Sequence, residues 1–144
     1  CRFYNVYGDY HIKTGDYATV IGIFEDQYKN GESLTITGDG EQRRDFTHVE
    51  DIVDALVKCI GKDFKAEEFE LGTGVNYSIN EVAEMFRFGD LPHDIPPIKY
   101  VPARPGEYDV TLCTDKKAHN LLGWKPTKNL KDYVNEWLNK KEGC

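Results

Sequence analysis

Residues 38–51, GDGEQRRDFTHVED, are the stretch that most constrains how this chain can fold. The stretch begins where an apolar alternating run, residues 34–37, ends, and it finishes inside an amphipathic helix. Its two glycines permit positive φ and a tight turn. Two arginines follow, and a guanidinium presents a planar fork of donors that fits a phosphate or a carboxylate. The pattern fits a glycine turn that directs an arginine towards an anion, but for this stretch taken alone an ordinary loop with solvated arginines is the favoured interpretation.

The charge balance excludes two classes of partner. The 144 residues carry a formal net charge of −7, whereas nucleic acids and anionic membranes bind basic faces. A local anion site built from two or three arginines is compatible with this charge. The sequence has no run of about 18 apolar residues that could span a membrane, and it has no signal-peptide pattern. We therefore predict a single globular domain, residues 1–144, in the cytoplasm.

The four cysteines, Cys1, Cys59, Cys113 and Cys144, show no CxxC spacing and no nearby histidine pair. A zinc site is therefore not predicted, and free thiols in a reducing cytoplasm are the expectation. The chain lacks a starting methionine and opens directly on strand-like sequence. This start indicates either a piece of a longer protein or a processed chain.

Periodicity and turn residues predict a mixture of strands and helices. Strands are predicted over residues 2–7, 34–37, 69–72 and 98–101, and helices over residues 18–30, 49–60, 79–88, 115–122 and from 130 onwards. A capping box starting at Ser78 begins the 79–88 helix, and Asn129 caps the last helix. Residues 8–17 are polar and turn-rich, and they predict an exposed or mobile loop.

The 49–60 helix is strongly amphipathic. Asp51 and Asp54 are expected to be solvated, and His48 before the helix is expected to satisfy local hydrogen bonds without a catalytic role. The predicted buried stripe consists of Val49, Ile52, Val53, Leu56, Val57 and Ile60.

The order of strand 2–7, helix 49–60 and strand 69–72 fits a right-handed crossover that joins two parallel strands. Strands 34–37 and 98–101 are expected to form a second small sheet outside it. Arginine-bearing turns follow both outer strands, so we expect Arg44 and Arg104 to lie near one another.

Six motifs occur in an order that is similar to one family. They are RFYNVYG (residues 2–8), LTITGDGEQRRDFTHVED (34–51), FELGTG (69–74), YSINE (77–81), PARPGE (102–107) and LGWKP (122–126). Over nearly the whole chain they resemble the C-terminal portion of extended short-chain dehydrogenases/reductases. The closest resemblance is to NAD-dependent nucleotide-sugar epimerases and dehydratases of the UDP-glucose 4-epimerase type. It implies an α/β fold: a partial Rossmann-type sheet, two parallel strands with a helical crossover, plus a small substrate-binding α/β subdomain.

The resemblance assigns a diphosphate clamp to two arginines. Arg44 matches the arginine of the family's RDF element and Arg104 matches that of its RPGE element. In the family these arginines grip the diphosphate of a nucleotide sugar from two sides, which is coherent for two charge-assisted forks. The alternatives are a salt bridge from Arg44 to Asp45 or Glu50, and simple surface exposure of Arg104.

The same resemblance assigns four further residues to the substrate. Asn5 matches a strand-end asparagine near the diphosphate, and Glu107 matches an acidic residue that holds ribose hydroxyls. Thr35 and Thr37 lie on the strand along which the base packs. The family often has an aromatic residue in place of Thr37, which leaves the identity of the base open, with a UDP-sugar favoured.

The family's cofactor and proton-transfer motifs do not occur in these 144 residues. The family places a glycine fingerprint, G-x-x-G-x-x-G, after its first strand to accept the dinucleotide pyrophosphate. It also uses a Tyr-x-x-x-Lys pair for proton transfer, and none of the nine tyrosines here has a lysine four positions on. We therefore predict that these 144 residues include no catalytic, cofactor-binding or metal-binding residue, and that the chain alone has no turnover. NAD is expected to bind only to the complete family enzyme.

Three functions remain open at this stage. The chain is the substrate-binding portion of such an epimerase or dehydratase, a nucleotide-sugar-binding module without chemistry, or an oligomeric interaction protein with a relict pocket. In the family, further strands lie beyond strand 2–7, so its edge is expected to be open here. An open apolar edge is a template for pairing, and we predict a homodimer joined through or near residues 2–7.

Overall fold

The computed structural model describes residues 1–88, 95–103 and 105–142. Its strands are β1 (Arg2–Phe3), β2 (Asn5–Tyr7), β3 (Leu34–Thr37), β4 (Arg43–His48), β5 (Glu70–Leu71), β6 (Asn76–Ser78) and β7 (Ile98–Val101). Its helices are α1 (Val20–Lys29), α2 (Val49–Cys59), α3 (Ile79–Arg87), α4 (Lys117–Leu122) and α5 (Leu130–Glu142). The α/β class predicted from the sequence is confirmed.

Parallel pairing links segments that are far apart along the chain. β1 pairs with β5 and β2 pairs with β4, both in parallel, and β6 adds to the other side of β4 in the antiparallel sense. β3 and β7 form a separate two-stranded sheet, as predicted, and they pair in parallel. The predicted strand 2–7 is divided at Tyr4 into β1 and β2, which pair with different strands.

Residues 43–48 form a strand where the sequence predicted a turn leading into a helix. β4 lies between β2 and β6, and its residues Asp45, Phe46 and Thr47 are at most 4% exposed. A strand that is covered on both faces lacks the polar–apolar alternation by which strands are recognised. The arginines are therefore carried by a paired strand and not by a loop.

Four helices begin at a side chain that accepts a backbone N–H. Thr19 caps α1, His48 caps α2, and Ser78 with Glu81 forms the predicted capping box at α3. Asn129 Oδ1 accepts the N–H of the third residue of α5 at 2.9 Å, as predicted. These caps satisfy donors that a helix start leaves unpaired. Within the described ranges, no helix combines the length and apolar character needed to cross a bilayer.

Among the residues that the structure describes, the core consists of two apolar clusters. The larger one joins α1, α3 and α5 to strands β2, β3 and β4, and includes Phe24, Phe46 and Phe86. The second joins α2, β5 and α4, and includes Leu71 and Trp124. The larger cluster fixes the positions of the elements that surround the pocket described below.

Helix α2 buries a narrower face than the sequence predicted. Ile52 and Ala55 are buried in the second cluster, where α2 packs against β4 and α4. Periodicity shows that a helix face is apolar, but it cannot show that another part of the chain covers it. The side chains of the predicted stripe that are 41–76% exposed are Val53, Leu56, Val57 and Ile60.

Asp51 is buried, and the prediction that it is solvated is wrong. Its Oδ1 accepts hydrogen bonds from Thr127 N at 3.0 Å and Oγ1 at 2.8 Å, and Oδ2 accepts one from Lys128 N at 3.0 Å. Its carbonyl accepts the indole N–H of Trp124 at 2.8 Å. Asp51 therefore holds residues 124–128, which follow α4, against the start of α2 through hydrogen bonds. No local pattern around Asp51 indicates these donors, because they lie 73 to 77 residues further along the chain.

Candidate functional site

A pocket of about 360 Å³ is lined by residues of β2, β3, β4, β7 and α1. Five of the six predicted substrate residues line it, namely Asn5, Thr35, Thr37, Arg44 and Glu107. Apolar side chains from α1 and the strands, such as Ile23, Phe46 and Val101, make up much of the remaining wall. The sixth residue, Arg104, lies outside the described residues, so the two-arginine clamp stays a prediction.

Arg44 is a largely buried cation at this pocket, with 9% of its surface exposed. Its Nη1 donates to the carbonyl of Arg43 at 2.9 Å and to that of Asp109 at 3.5 Å. Its Nη2 donates to Glu107 Oε1 at 3.4 Å. The backbone carbonyls hold one side of the guanidinium, while the other side faces a carboxylate.

The ion-pair partner of Arg44 is Glu107, not Asp45 or Glu50, the two carboxylates named as alternatives from the sequence. At 3.4 Å the pair is longer than a typical charge-assisted hydrogen bond. The Glu107 side chain is 36% exposed, so it has room to turn away. An anion that enters the pocket can therefore compete for this guanidinium.

Asp45 ties the glycine turn after β5 to β4. Its buried carboxylate accepts hydrogen bonds from Thr73 N at 2.8 Å, Thr73 Oγ1 at 2.6 Å, Gly74 N at 2.9 Å and Cys113 N at 3.0 Å. Sequence reasoning missed this role. The available signal was an acidic residue beside Phe46, which is unusual inside a fully buried strand.

The turn at residues 72–74 does not fit a dinucleotide. It leads from β5 into β6 and not into a helix, and the amides of Thr73 and Gly74 donate to Asp45. A dinucleotide pyrophosphate site needs free amides at a helix start. This turn therefore offers no cradle for NAD.

Asn5 is held at the start of β2 by two contacts. Its side-chain amide donates to the Asp45 carbonyl at 3.3 Å and to Thr111 Oγ1 at 3.2 Å. The Thr111 hydroxyl also accepts the Asp45 N–H at 3.2 Å. The chain after residue 107 thus crosses beside β4 and helps to orient Asn5 at the pocket.

Two glutamines brace the strand that carries Thr35 and Thr37. The Gln27 side chain on α1 accepts the Thr35 N–H at 3.0 Å and donates to Thr35 Oγ1 at 2.7 Å. The Gln42 amide donates to the Thr37 carbonyl at 2.9 Å. Sequence reasoning missed both glutamines. For Gln27, the periodicity of α1 indicates only that the residue lies on the polar face of the helix.

His48 makes local contacts, in keeping with the expectation. Its Nδ1 accepts the Glu50 N–H at 3.2 Å, and its ring lies against Tyr7 and Tyr133, with centroids 5.1 and 5.6 Å away. Burial lowers the pKa of His48, which favours the neutral ring that the cap requires. These contacts account for the position of His48 as the cap of α2.

The chain is similar in sequence and fold to proteins named for nucleotide sugars. The family model described as GDP-mannose 4,6 dehydratase matches residues 1–137. A UDP-glucose 4-epimerase of Mycolicibacterium smegmatis is 33% identical over 122 residues, which are 85% of this chain and 38% of that protein.

Two solved structures share the fold over almost the whole chain. The UDP-glucose 4-epimerase of Thermotoga maritima, solved with UDP-glucose, has a TM-score of 0.82 at 31% identity and covers 98% of this chain. The UDP-N-acetylglucosamine 4-epimerase of Methanobrevibacter ruminantium, in complex with UDP-N-acetylmuramic acid, has a TM-score of 0.79 at 27% identity and covers 97%. This chain spans 45% of each of those two proteins.

Proposed function

Since the chain belongs to the GDP-mannose 4,6 dehydratase family, we propose that it is the substrate-binding portion of an NAD-dependent nucleotide-sugar epimerase or dehydratase. In this proposal the 144 residues act as one unit that corresponds to the C-terminal portion of a longer enzyme. The main observation that supports this proposal is the pocket that Asn5, Arg44 and Glu107 line together. A UDP-sugar is the favoured ligand because two solved relatives were obtained with UDP-sugars.

In the proposed complex the diphosphate takes the place of Glu107 at Arg44. Phosphate oxygens form short, charge-assisted bonds to a guanidinium, whereas Glu107 reaches Arg44 only at 3.4 Å. Glu107 is then free to accept hydrogen bonds from the ribose hydroxyls. Arg104 supplies the second side of the clamp, and Thr35 and Thr37 border the base.

We propose no hydride or proton transfer by these 144 residues alone. Burial raises the pKa of Tyr4 to about 12 and also raises the pKa of Tyr7 and Tyr133. A tyrosine that acts as an acid/base near neutral pH needs a lowered pKa instead. Because the amides of the turn at residues 72–74 donate to Asp45 and offer no dinucleotide cradle, the chain should also leave the fluorescence of micromolar NADH unchanged. Quenching of that signal would contradict this part of the proposal.

An NMR titration of the 144-residue chain with UDP-glucose tests the binding site. Because the proposal makes these 144 residues only one part of the substrate cleft, we expect a Kd in the millimolar range, about −4 kcal/mol, and no binding by Arg44→Ala. Arg2→Ala is the control: Arg2 is exposed, pairs with Glu68 at 3.0 Å and does not line the pocket. The control should bind as the parent does. Equal binding by Arg44→Ala and the parent would refute the diphosphate site.

An oligomeric interaction protein is the second candidate. Among the described strands, β1 and β2 each pair on one edge only. Part of the apolar face of α2, namely Val53, Leu56 and Val57, is also exposed. These two features support a homodimer through or near residues 2–7, and they are compatible with the nucleotide-sugar pocket.

A further inference from the structure

A buried carboxylate on α1 joins three separate parts of the chain. Glu25 is 1% exposed. Its Oε1 accepts a hydrogen bond from the Tyr133 hydroxyl of α5 at 2.8 Å, and its Oε2 accepts one from the Lys13 ammonium. His11 Nε2 lies 3.1 Å from Oε2, at ion-pair distance but without hydrogen-bond alignment.

His11 and Lys13 belong to a segment, residues 8–19, that contains no helix or strand. Within it, Thr19 N donates to the Ile12 carbonyl at 3.0 Å. The same carbonyl lies only 2.7 Å from the position that a Cβ at Gly22 would occupy, so the segment packs directly on the first turn of α1. Glu25 therefore anchors the middle of a loop whose end rests on the same helix.

The end of this loop forms part of the pocket. Ala18, Thr19 and Val20 line it, and Thr19 Oγ1 accepts the Gly22 N–H at 3.1 Å as the cap of α1. A displacement of residues 11–13 would pull on Thr19 through its bond to Ile12. The contacts of Glu25 and the wall of the pocket are thus mechanically connected.

We propose that Glu25 is a positioning residue for the pocket, holding residues 8–19 in the place that completes its wall. A buried charge is costly unless it is paired, and the charge of Glu25 is paired with the Lys13 ammonium of the loop, beside His11. An apolar side chain would fill the same space but could not hold the loop. The identity of the ligand, a nucleotide sugar, rests on the proposed function; the positioning of the loop does not.

The first measurement is UDP-glucose affinity of the 144-residue chain by NMR titration. If Glu25→Ala reduces the ordered fraction of the loop to about a tenth, the apparent Kd rises about tenfold. Glu25→Gln keeps one acceptor oxygen and should restore part of the affinity. Glu32→Ala is the matched control, because Glu32 is exposed just beyond the end of α1, and it should leave the Kd unchanged.

The variant Lys13→Ala distinguishes a loss of loop positioning from a general loss of folding. Lys13 lies on the loop with its side chain 31% exposed, so its removal does not open the core. It should weaken UDP-glucose binding and, combined with Glu25→Gln, should add less than the sum of the two single effects. Unchanged affinity in Lys13→Ala, or full additivity, would overturn the proposal even if Glu25→Ala fails to fold.

Hydrogen–deuterium exchange without ligand distinguishes the two proposals. Faster exchange of residues 10–19 in Glu25→Gln and Lys13→Ala, with α3 unchanged, supports the anchoring role even if the parent binds no UDP-glucose. Absence of parent binding would then count against the proposed function alone. Identical exchange of residues 10–19 in the parent and both variants would overturn the positioning role.

Discussion

At the scale of single residues, the carboxylate of Asp45 carries four hydrogen bonds in a buried site. Asp45→Asn would turn an amide N–H₂ towards backbone donors and leave at least one of them without an acceptor. A buried unpaired donor costs about 1–3 kcal/mol, and more where the lost acceptor is charged. We expect Asp45→Asn to lower the free energy of unfolding by about 3 kcal/mol in urea denaturation.

Asp54→Asn is the control for this change. Asp54 is exposed on α2 and pairs with Lys58 one turn away at 3.0 Å, an arrangement worth less than about 1 kcal/mol. Its unfolding midpoint should stay close to that of the parent. If the two variants have the same midpoint, the structural role assigned to Asp45 is wrong.

Arg44 and Asp45 differ in how far their roles could be predicted from the sequence around them. Arg44 was assigned to an anion site from the glycine turn before it and from its resemblance to the family's RDF element, both of which are local in sequence; it lines the pocket, and the anion site stays a prediction. The donors to Asp45 lie 28 to 68 residues further along the chain, so no local pattern announces them. The same reason explains why Glu107 was not predicted as the ion-pair partner of Arg44.

At the scale of elements, we expect the docking of residues 8–19 onto α1 and α5 to depend on pH through Glu25. Burial raises the pKa of the Glu25 carboxyl, but contacts with His11, Lys13 and Tyr133 outweigh it and leave the pKa below its ordinary value of 4.5. A lowered folded-state pKa contributes stability above the unfolded-state pKa, and that contribution is lost as pH falls through the folded-state value.

We therefore expect the parent to lose stability below about pH 4.5 more steeply than Glu25→Gln, which cannot titrate at this position. Urea midpoints measured between neutral pH and the acid limit of folding provide the comparison. Other carboxylates titrate in both proteins, so the difference between the two curves isolates Glu25. Parallel curves would show that Glu25 contributes nothing to the acid sensitivity.

Elements with local signals were predicted well, and elements defined by their neighbours were not. The helix at α3 has its capping box within four residues, and β3 shows alternating burial along residues 34–37. β4 is a strand because β2 and β6 flank it, and the face of α2 stays exposed because the described chain leaves it uncovered. Both outcomes depend on contacts far apart in sequence.

At the scale of the whole molecule, unpaired strand edges and an apolar helix face lie close together. Among the described residues, β1 pairs with β5 alone and β2 with β4 alone. The Sγ atoms of Cys1 and Cys59 are 4.0 Å apart, so the end of α2 lies beside the start of β1. An open edge next to an exposed apolar face is a template for association.

We expect the chain to form a two-fold homodimer through this surface at micromolar concentration. Burial of apolar area contributes about 25 cal/mol per Å², so a few hundred Å² supplies several kcal/mol. Repulsion between two chains of net charge −7 is weaker because salt screens charges beyond about 8 Å. Leu56→Lys should shift sedimentation towards the monomer, whereas Ile12→Lys, at a 55% exposed loop position, should not. A parent chain that sediments as a single monomeric species would rule out the dimer. Equal effects of Leu56→Lys and Ile12→Lys on sedimentation would show that the dimer interface lies elsewhere.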